Sequence, residues 1–268
     1  MGIKFTKPGS RTPSEAPPIF DGKFVDYVQT QRAGGGSNFL GVVETATYTY
    51  TSNNTFPSSL IPSNTTVIKM IADGCGLGGY VEADFYPDSG LDFGSPFTVN
   101  FAGGGPGDPA GGNYAGIFQG PISQGNAVLI GAGGGGSPGG RGGYPGGSQG
   151  GTGNAGGGPG PAQGGFGASQ SGGGGGGAGA PSYGPGSPGG ALQGGSGGTG
   201  DARGIGGGGG GGYFGGGGGG NGYGGDNNNP GGGGGGGSSY ISPLGQDSSF
   251  GDTRFSGGRV QFEVTTLT

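Results

Sequence analysis

The sequence has 268 residues, of which 87 are glycine, with 9% charged residues and a formal net charge of −5. Glycine makes up a third of the chain, as in collagen, but the strict Gly-X-Y register is missing, so the composition indicates either a low-complexity coil or an unusual fold. Histidine is absent and Cys75 is the only cysteine, which excludes an intramolecular disulfide, a Cys/His zinc site and catalysis by an imidazole base.

Residues 1–40 are predicted to form an extended arm. Prolines in this segment fix φ and lack a backbone donor, so they exclude a central strand. The apolar side chains of Ile19, Phe20, Phe24 and Tyr27 are candidates for docking on a neighbouring molecule; the alternative is a disordered terminus. The arm has five basic and three acidic residues, a net charge of +2, whereas the rest of the chain has a net charge of −7. This contrast indicates that the arm meets a partner, but the positive charge is too small for nucleic-acid binding.

Residues 41–130 predict ordinary β structure. No segment has a 3.6-residue period over the length of a helix. The short segments are rich in β-branched and aromatic residues and are bounded by Gly, Pro or Asn, which is typical of an antiparallel sandwich or jelly roll with one modest core. The predicted strands are VVETATYTYTS, TTVIKMIADG, GYVEADFYP, PFTVNFAGGG and NAVLIGAGGG, with SSYISPL and RVQFEVTTL added near the C-terminus.

Residues 131–237 form a glycine-rich insertion between the predicted strands, with runs such as Gly206–Gly212 and Gly215–Gly220. Ordering a run of seven glycines costs about 7–14 kcal/mol of backbone entropy with no side chain to offset it, so a single run does not fold alone. Polyproline II geometry offers a solution, because packed glycine helices can hydrogen-bond to several neighbours with no Cβ in the way. The sequence therefore predicts a bundle of polyglycine II helices held by β structure; the alternative is a flexible coil.

The interruptions between the glycine runs predict the places where the chain reverses direction. They are Tyr213–Phe214, residues 221–230 (NGYGGDNNNP) and residues 180–188 (APSYGPGSP). Aromatic, Asn and Pro residues are typical of turns, whereas a flexible Gly/Ser linker does not need such residues at intervals.

Five stretches stand out in chain order: IPSNTTVIKMIADGCGLGGYVEADF, FTVNFAGGG, AVLIGAGGGGS, GGGGGGGYFGGGGGGNGYGG and GGGGGGGSSYI. Their order resembles the glycine-rich domain of bacteriophage tail-fibre and adhesin proteins, and the resemblance covers about residues 41–264. This order is also similar to the extracellular glycine-rich domain of the anaplastic lymphoma kinase receptor family. The resemblance implies an all-β fold, a jelly-roll-like sandwich over residues 41–268 that carries the polyglycine II insertion. The receptor domains are disulfide-bonded and follow a signal peptide, features that this sequence does not show, so the resemblance favours a virion protein with residues 1–40 as its attachment arm.

No catalytic set is predicted, so the protein is expected not to be an enzyme and to need no cofactor or metal. GxG patterns carry no information in so glycine-rich a chain, and no lysine follows a glycine loop as a Walker A motif requires. Asp84, Asp88 and Asp92 are close enough in sequence to ligate calcium or to pair as acid and base, but solvated carboxylates at a β-turn are the better interpretation. Cys75 is expected to be a small core residue.

The resemblance leaves two main functions open for a protein on the surface of a phage particle. One is a tail-fibre or spike adhesin that contacts a glycan or protein of the host. The other is an architectural component, such as a capsid-decorating or fibre-connecting protein, without receptor binding; a low-complexity matrix protein is a more remote alternative. Partners are expected among other virion proteins through the arm, with a homo-oligomer such as a trimer left open, and neither nucleic-acid binding nor membrane insertion is expected. Because aromatics and amides suit glycans and protein loops, the candidate receptor contacts are Tyr183, Tyr213, Phe214, Tyr223, Asn227, Asn228 and Asn229.

Overall fold

The fold is all-β in the residues that the computed structural model describes, with two antiparallel sheets and two short 3-10 helices at Ser58–Leu60 and Gln124–Asn126. This confirms the predicted fold class at the level of two antiparallel sheets. The described residues are 24–28, 43–136, 145–146, 149–150, 161–200, 204–222, 231–252 and 257–268, with backbone alone for 24–28, 145–146 and 149–150.

Thirteen strands are found in the described part of the chain. Most are short and bounded by turns, as the β-rich sequence segments predict. In chain order they are β1 (Phe24–Val28), β2 (Val43–Tyr50), β3 (Asn54–Phe56), β4 (Thr65–Cys75), β5 (Gly79–Phe85), β6 (Phe97–Ala102), β7 (Tyr114–Gln119), β8 (Ala127–Gly131), β9 (Pro145–Gly146), β10 (Gln149–Gly150), β11 (Tyr240–Ile241), β12 (Gln246–Asp252) and β13 (Gly257–Leu267).

The strands form a six-stranded sheet in the order β1-β2-β13-β4-β5-β12 and a five-stranded sheet in the order β11-β8-β7-β6-β3. A separate two-stranded ladder joins β9 to β10. The last strand, β13, lies in the middle of the larger sheet and joins β2 to β4. Strands β8 and β11 are neighbours, although more than one hundred residues separate them. The glycine-rich insertion therefore leaves the smaller sheet and returns to it at the same edge.

A hydrophobic core lies between the two sheets, and we call this unit the two-sheet core. Strand β13 shows how the sequence builds it, because its residues alternate between buried and half-exposed positions along most of the strand. The buried residues Val260, Phe262 and Val264 all belong to the core. Phe262 stacks on Phe56 of the other sheet with ring centroids 4.1 Å apart, which joins the two sheets through a pair of large side chains.

All seven predicted β segments contain a strand, but the structure adds strands that the pattern did not indicate. β7 carries Gly116 in its middle, and β12 is polar and largely exposed, so neither has the apolar alternation that marks a strand. Each is stabilised by its neighbours, since β7 lies between β6 and β8 and β12 pairs with β5.

Strand β1 lies inside the predicted arm, where the sequence showed no reliable strand period. It pairs antiparallel with β2 over five residues, from Phe24 opposite Thr47 to Val28 opposite Val43, at the edge of the larger sheet. The hydrogen bonds of the ladder with β2 stabilise this strand, and the local sequence pattern does not predict them. Of the four candidate anchors, Phe24 and Tyr27 lie in β1, and Ile19 and Phe20 lie outside the described residues.

A second buried cluster faces the glycine-rich insertion and is centred on Tyr114, Phe118 and Ile130. Tyr114 is only 2% exposed, and its hydroxyl donates a hydrogen bond of 2.6 Å to the side-chain oxygen of Asn100. Burial raises the pKa of Tyr114 to about 12, because the phenolate would lose its hydration in this cluster.

We predict that Tyr114 makes the fold sensitive to alkali. Its folded pKa lies above its unfolded value of 10.0, so its contribution is fully present below pH 10 and is lost as the pH rises toward 12. The free energy of unfolding should fall by about 2–3 kcal/mol over that interval. Urea unfolding at a series of alkaline pH values measures this loss. A Tyr114→Phe variant should show a smaller fall than the parent, and equal falls in the two proteins would contradict the prediction.

Candidate functional site at the glycine tracts

Nine glycine-rich segments of the described chain lie outside the sheets and hydrogen-bond to one another, and we call them tracts. Two of them, residues 103–112 and 132–136, directly follow β6 and β8, and the others lie between β8 and β11. The sequence analysis placed the start of the insertion at residue 131 and so missed the tract after β6. The remaining tracts are residues 161–168, 172–180, 184–190, 193–199, 204–212, 215–222 and 231–239.

Tract 215–222 donates hydrogen bonds to three neighbouring tracts in a repeating order. Every third N–H group points to the same neighbour: first to tract 184–190, then to tract 204–212, then to tract 161–168. The donor and acceptor residues are Gly215 to Gly190, Gly216 to Gly210, Gly217 to Phe166, Gly218 to Ser187, Gly219 to Gly207, Gly220 to Gln163, Asn221 to Gly184 and Gly222 to Gly204, at distances of 2.7 to 3.0 Å.

The carbonyl groups of the same tract accept bonds from three further tracts, again with a period of three residues. Tract 215–222 is therefore hydrogen-bonded to six different tracts. This arrangement differs from a β ladder, in which the two sides of a strand alternate and all partners lie in one sheet. The donors and acceptors are Gly174 to Gly215, Gly195 to Gly216, Gly235 to Gly217, Gly177 to Gly218, Gly198 to Gly219, Gly232 to Gly220 and Ala180 to Asn221.

Tract 204–212 shows the same repeat. Its N–H groups donate in turn to tracts 193–199, 231–239 and 103–112, and its carbonyl groups accept in turn from tracts 103–112, 215–222 and 132–136. Residues 206–212 and 215–222 are all buried, and the two aromatic residues between these runs are half-buried. Buried peptide groups without partners are costly, so these bonds are a condition for burying so much bare backbone.

The close spacing of the tracts explains why they consist of glycine. A Cβ on Gly217 would lie 1.9 Å from the carbonyl oxygen of Gly175, and one on Gly219 would lie 1.9 Å from that of Gly232. Both distances are far inside van der Waals contact, and a backbone oxygen cannot swing away as a flexible side chain can. At the outside of the tracts the situation differs, because a Cβ on Gly172 or Gly190 would meet nothing within 4 Å.

The tracts are tied to the larger sheet by the β4–β5 hairpin. The N–H of Cys75 donates to the carbonyl of Asn113 at 2.9 Å, and the carbonyl of Cys75 accepts from the N–H of Gly134 at 3.0 Å. The N–H of Gly79 donates to Ala132 at 2.8 Å. The end of tract 103–112 and the start of the tract after β8 are therefore held at the larger sheet. We call this side of the tracts the core end.

Tyr213 and Phe214 lie at the core end, between tracts 204–212 and 215–222, as the prediction of a chain reversal there requires. The ring of Tyr213 stacks on Tyr240 with centroids 4.1 Å apart, and Phe214 meets Tyr213 edge-on at 5.4 Å. The N–H of Phe214 donates to the hydroxyl of Ser238 at 3.0 Å. Both aromatic residues are half-buried, so much of their surface is used in packing within the chain.

Tyr183 lies at the opposite side, which we call the far end, close to Asn221 near the end of tract 215–222. The two side chains flank Gly200, since a Cβ there would lie 3.0 Å from Tyr183 Cδ1 and 2.1 Å from Asn221 Nδ2. The structure therefore does not bring the predicted contact residues together, because Tyr183 is at one end of the tracts and Tyr213 and Phe214 are at the other. The remaining candidates, Tyr223, Asn227, Asn228 and Asn229, lie outside the described residues.

Asn221 is a notable residue at the far end that the sequence analysis did not single out. It is completely buried, yet neither its Oδ1 nor its Nδ2 has a hydrogen-bond partner among the described residues. The signal in the sequence was the single amide between Gly220 and Gly222, where every neighbouring position is glycine. A buried amide without partners is destabilising unless something supplies them.

The candidate carboxylates and the thiol of Cys75 can be located among the described residues. No three His, Cys, Asp or Glu side chains come together as metal ligands within the described ranges. Asp92 accepts bonds from the Ser95 hydroxyl and the Gly94 N–H, which lower its pKa as expected for a turn carboxylate. Cys75 is half-buried, and this burial raises the pKa of its thiol, so the reactive thiolate is disfavoured.

Comparison with known proteins adds no assignment, because no family model matches the sequence and no curated protein has a significant match. Across the described residues, no helix has the length and apolar character needed to cross a bilayer.

We predict that alanine has opposite effects inside and outside the tracts. Gly217→Ala should lower the free energy of unfolding by more than about 3 kcal/mol, because its Cβ would overlap a backbone carbonyl oxygen. The cost of this overlap should exceed the usual cost of adding a methyl group to a packed core. Gly172→Ala is the matched control and should raise it by about 0.4–1 kcal/mol, since alanine restricts the unfolded chain. Thermal and urea unfolding of both variants measure the difference. Equal effects at the two positions would contradict the close packing of the tracts.

We also predict that the two buried asparagines respond differently to alanine. Asn221→Ala removes two polar atoms without partners and should raise the free energy of unfolding by about 1 kcal/mol. Asn100→Ala removes the acceptor of the buried Tyr114 hydroxyl and should lower it by about 1–3 kcal/mol. Chemical denaturation of the two variants tests both signs, and a clear loss of stability in Asn221→Ala would mean that its amide has a partner in solution.

Proposed function

We propose that this protein is a structural component of a bacteriophage particle, and that it acts as a tail-fibre or spike adhesin that presents a rigid glycine bundle to the host surface. In this proposal the glycine tracts are polyglycine II helices, and the two-sheet core is a jelly-roll-like sandwich that holds them. The chain resembles glycine-rich phage adhesin domains in the stretches given above, and this resemblance is the reason to choose a phage particle.

One observation carries the structural part of the proposal: tract 215–222 bonds to six other tracts with a period of three residues. A helix with three residues per turn repeats its peptide directions every three residues, as polyproline II geometry does. A β-strand would repeat after two residues and an α-helix would bond to itself. The spacing that leaves no room for a Cβ at Gly217 and Gly219 also fits packed glycine helices.

The far end is the proposed surface for the host. It lies away from the two-sheet core, and Tyr183 is the described candidate contact there, with Tyr223 and Asn227 to Asn229 nearby in sequence to the end of tract 215–222. An aromatic ring and side-chain amides offer a sugar or a protein loop flat apolar area together with hydrogen-bonding groups. Tyr213 and Phe214, which pack at the core end, are proposed to hold the bundle against the core.

The arm is the proposed attachment to the rest of the particle. Ile19, Phe20, Phe24 and Tyr27 would supply its apolar anchors. The arm carries a net charge of +2 and the rest of the chain −7, so the two parts attract each other within or between molecules at moderate ionic strength.

We predict a period of three residues in amide exchange along tract 172–180. Gly174, Gly177 and Ala180 donate hydrogen bonds to tract 215–222, whereas Gly173, Gly175 and Gly176 have no acceptor among the described residues. The first set should exchange at least a hundredfold more slowly than the second, which corresponds to about 2.7 kcal/mol of protection. Residue-resolved NMR exchange measures this. Protection of every second amide would indicate a β-strand, and uniformly fast exchange would indicate a flexible coil; either result would overturn the bundle.

The adhesin role is tested by competition for the host. Purified protein at saturating concentration should reduce adsorption of the source phage to its host at least tenfold. Tyr183→Ala should weaken this block, and Gly172→Ala, on the outside of the tracts, should retain it. If the folded protein does not compete and instead occupies the capsid densely and symmetrically in a cryo-EM map, the architectural function replaces the adhesin.

A further inference from the structure

Strand β1 is an edge strand of the larger sheet. It pairs with β2 alone among the described strands, through a ladder of five residues that runs from Phe24 opposite Thr47 to Val28 opposite Val43. Its attachment therefore rests on one side of one strand.

The connection between the two strands is long. Antiparallel neighbours are usually joined by two to about five residues, which also fix the register. Here residues 29–42 separate β1 from β2, and they include the triplet Gly34–Gly36. Fourteen residues can span at most about 45–50 Å, so the sequence does not require β1 to pair with the β2 that follows it in the same chain.

The charges attract the arm to the body both within one chain and between copies. Residues 1–40, which include β1, have a net charge of +2, and the rest of the chain has −7. An arm is therefore attracted to the body of its own chain and to that of another copy, and the β2 edge is the place where β1 pairs.

We propose that β1 is an exchange strand, which pairs with β2 of the same chain in dilute solution and with β2 of a second copy in the assembled particle. The two arrangements contain the same ladder, so their free energies differ mainly through chain connectivity and concentration. A connection of fourteen residues corresponds to an effective concentration in about the millimolar range, so the closed form dominates at micromolar protein and the exchanged form competes when copies are packed together. This inference rests on the proposed function for the crowded setting in which it operates.

Engineered cysteines separate the two arrangements. Two full-length variants are prepared in the Cys75→Ser background, one with Val25→Cys and the other with Ala46→Cys, which occupy facing positions in the ladder. Neither can form the 25–46 disulfide within one chain, so that disulfide in an oxidised mixture reports pairing between copies. The yield, measured by peptide mass spectrometry, should rise at least tenfold between about 10 μM and about 1 mM protein.

The control for register replaces Ala46→Cys with Thr49→Cys, three residues along the same strand. It should give less than a tenth of the 25–46 yield at every concentration. The facing pair Asp26→Cys and Thr45→Cys repeats the experiment at a neighbouring position, in case one variant does not fold. Deletion of residues 33–38 shortens the connection to eight residues and should shift exchange to lower concentration, because a short hinge disfavours the closed form.

A yield at positions 25 and 46 no greater than the register control, at all concentrations and in both facing pairs, would overturn the exchange. Amide exchange of tract 172–180 is measured on the same samples. If the tract amides stay protected and no cross-link forms, only the strand exchange is refuted. Loss of the three-residue protection pattern would refute the proposed bundle independently.

Discussion

The need of every buried peptide group for a hydrogen-bond partner is the constraint on which this structure depends. In tract 215–222 each residue from Gly215 to Asn221 both donates and accepts a bond to another tract. These bonds are possible because the tracts lie so close that no side chain fits between them, as the 1.9 Å distance from a Cβ on Gly217 to the Gly175 oxygen illustrates. The backbone thus does in the tracts what apolar side chains do in an ordinary core.

The two parts of the molecule are stabilised by different forces and depend on each other. The two-sheet core buries aromatic and aliphatic side chains such as Phe56 and Phe262, and its stability follows from the hydrophobic effect. The tracts have little apolar surface, and each hydrogen bond contributes only about 0.5–1.5 kcal/mol net, close to the entropy lost by ordering a residue. The bonds that Cys75 and Gly79 make to the first two tracts and to Asn113, together with the Tyr213–Tyr240 stack, hold the tracts at the core end, which lowers the entropy that the hydrogen bonds must offset.

The all-β class and seven strand segments were predictable because alternation of apolar residues is a local signal, clearest in β13 with Val260, Phe262 and Val264. The need for tract contacts was also predictable, since seven glycines in a row have no other way to order. The partners of each tract were not, because glycine runs are identical in sequence and their pairing is decided by chain connections and by the core. Strands β1, β7 and β12 were not predicted for a similar reason, because they are fixed by neighbouring strands and not by their own sequence pattern. Of the predicted contact residues, Tyr213 and Phe214 looked like exposed turn residues, but a sequence does not show that Tyr240 will cover one side of the turn.

The crowding around Gly217, Gly219 and the other buried tract residues has a consequence for how the gene can change. Nearly every nucleotide substitution in the first two codon positions of these glycines introduces a side chain that the packing rejects, so selection must keep the tracts almost invariant. Variation is left to the outward positions, exemplified by Gly172 and Gly190, and to the connections between tracts. A lineage that diversifies this protein would therefore do so by altering short loops on an unchanging scaffold, much as antibody genes vary hypervariable segments on a constant framework.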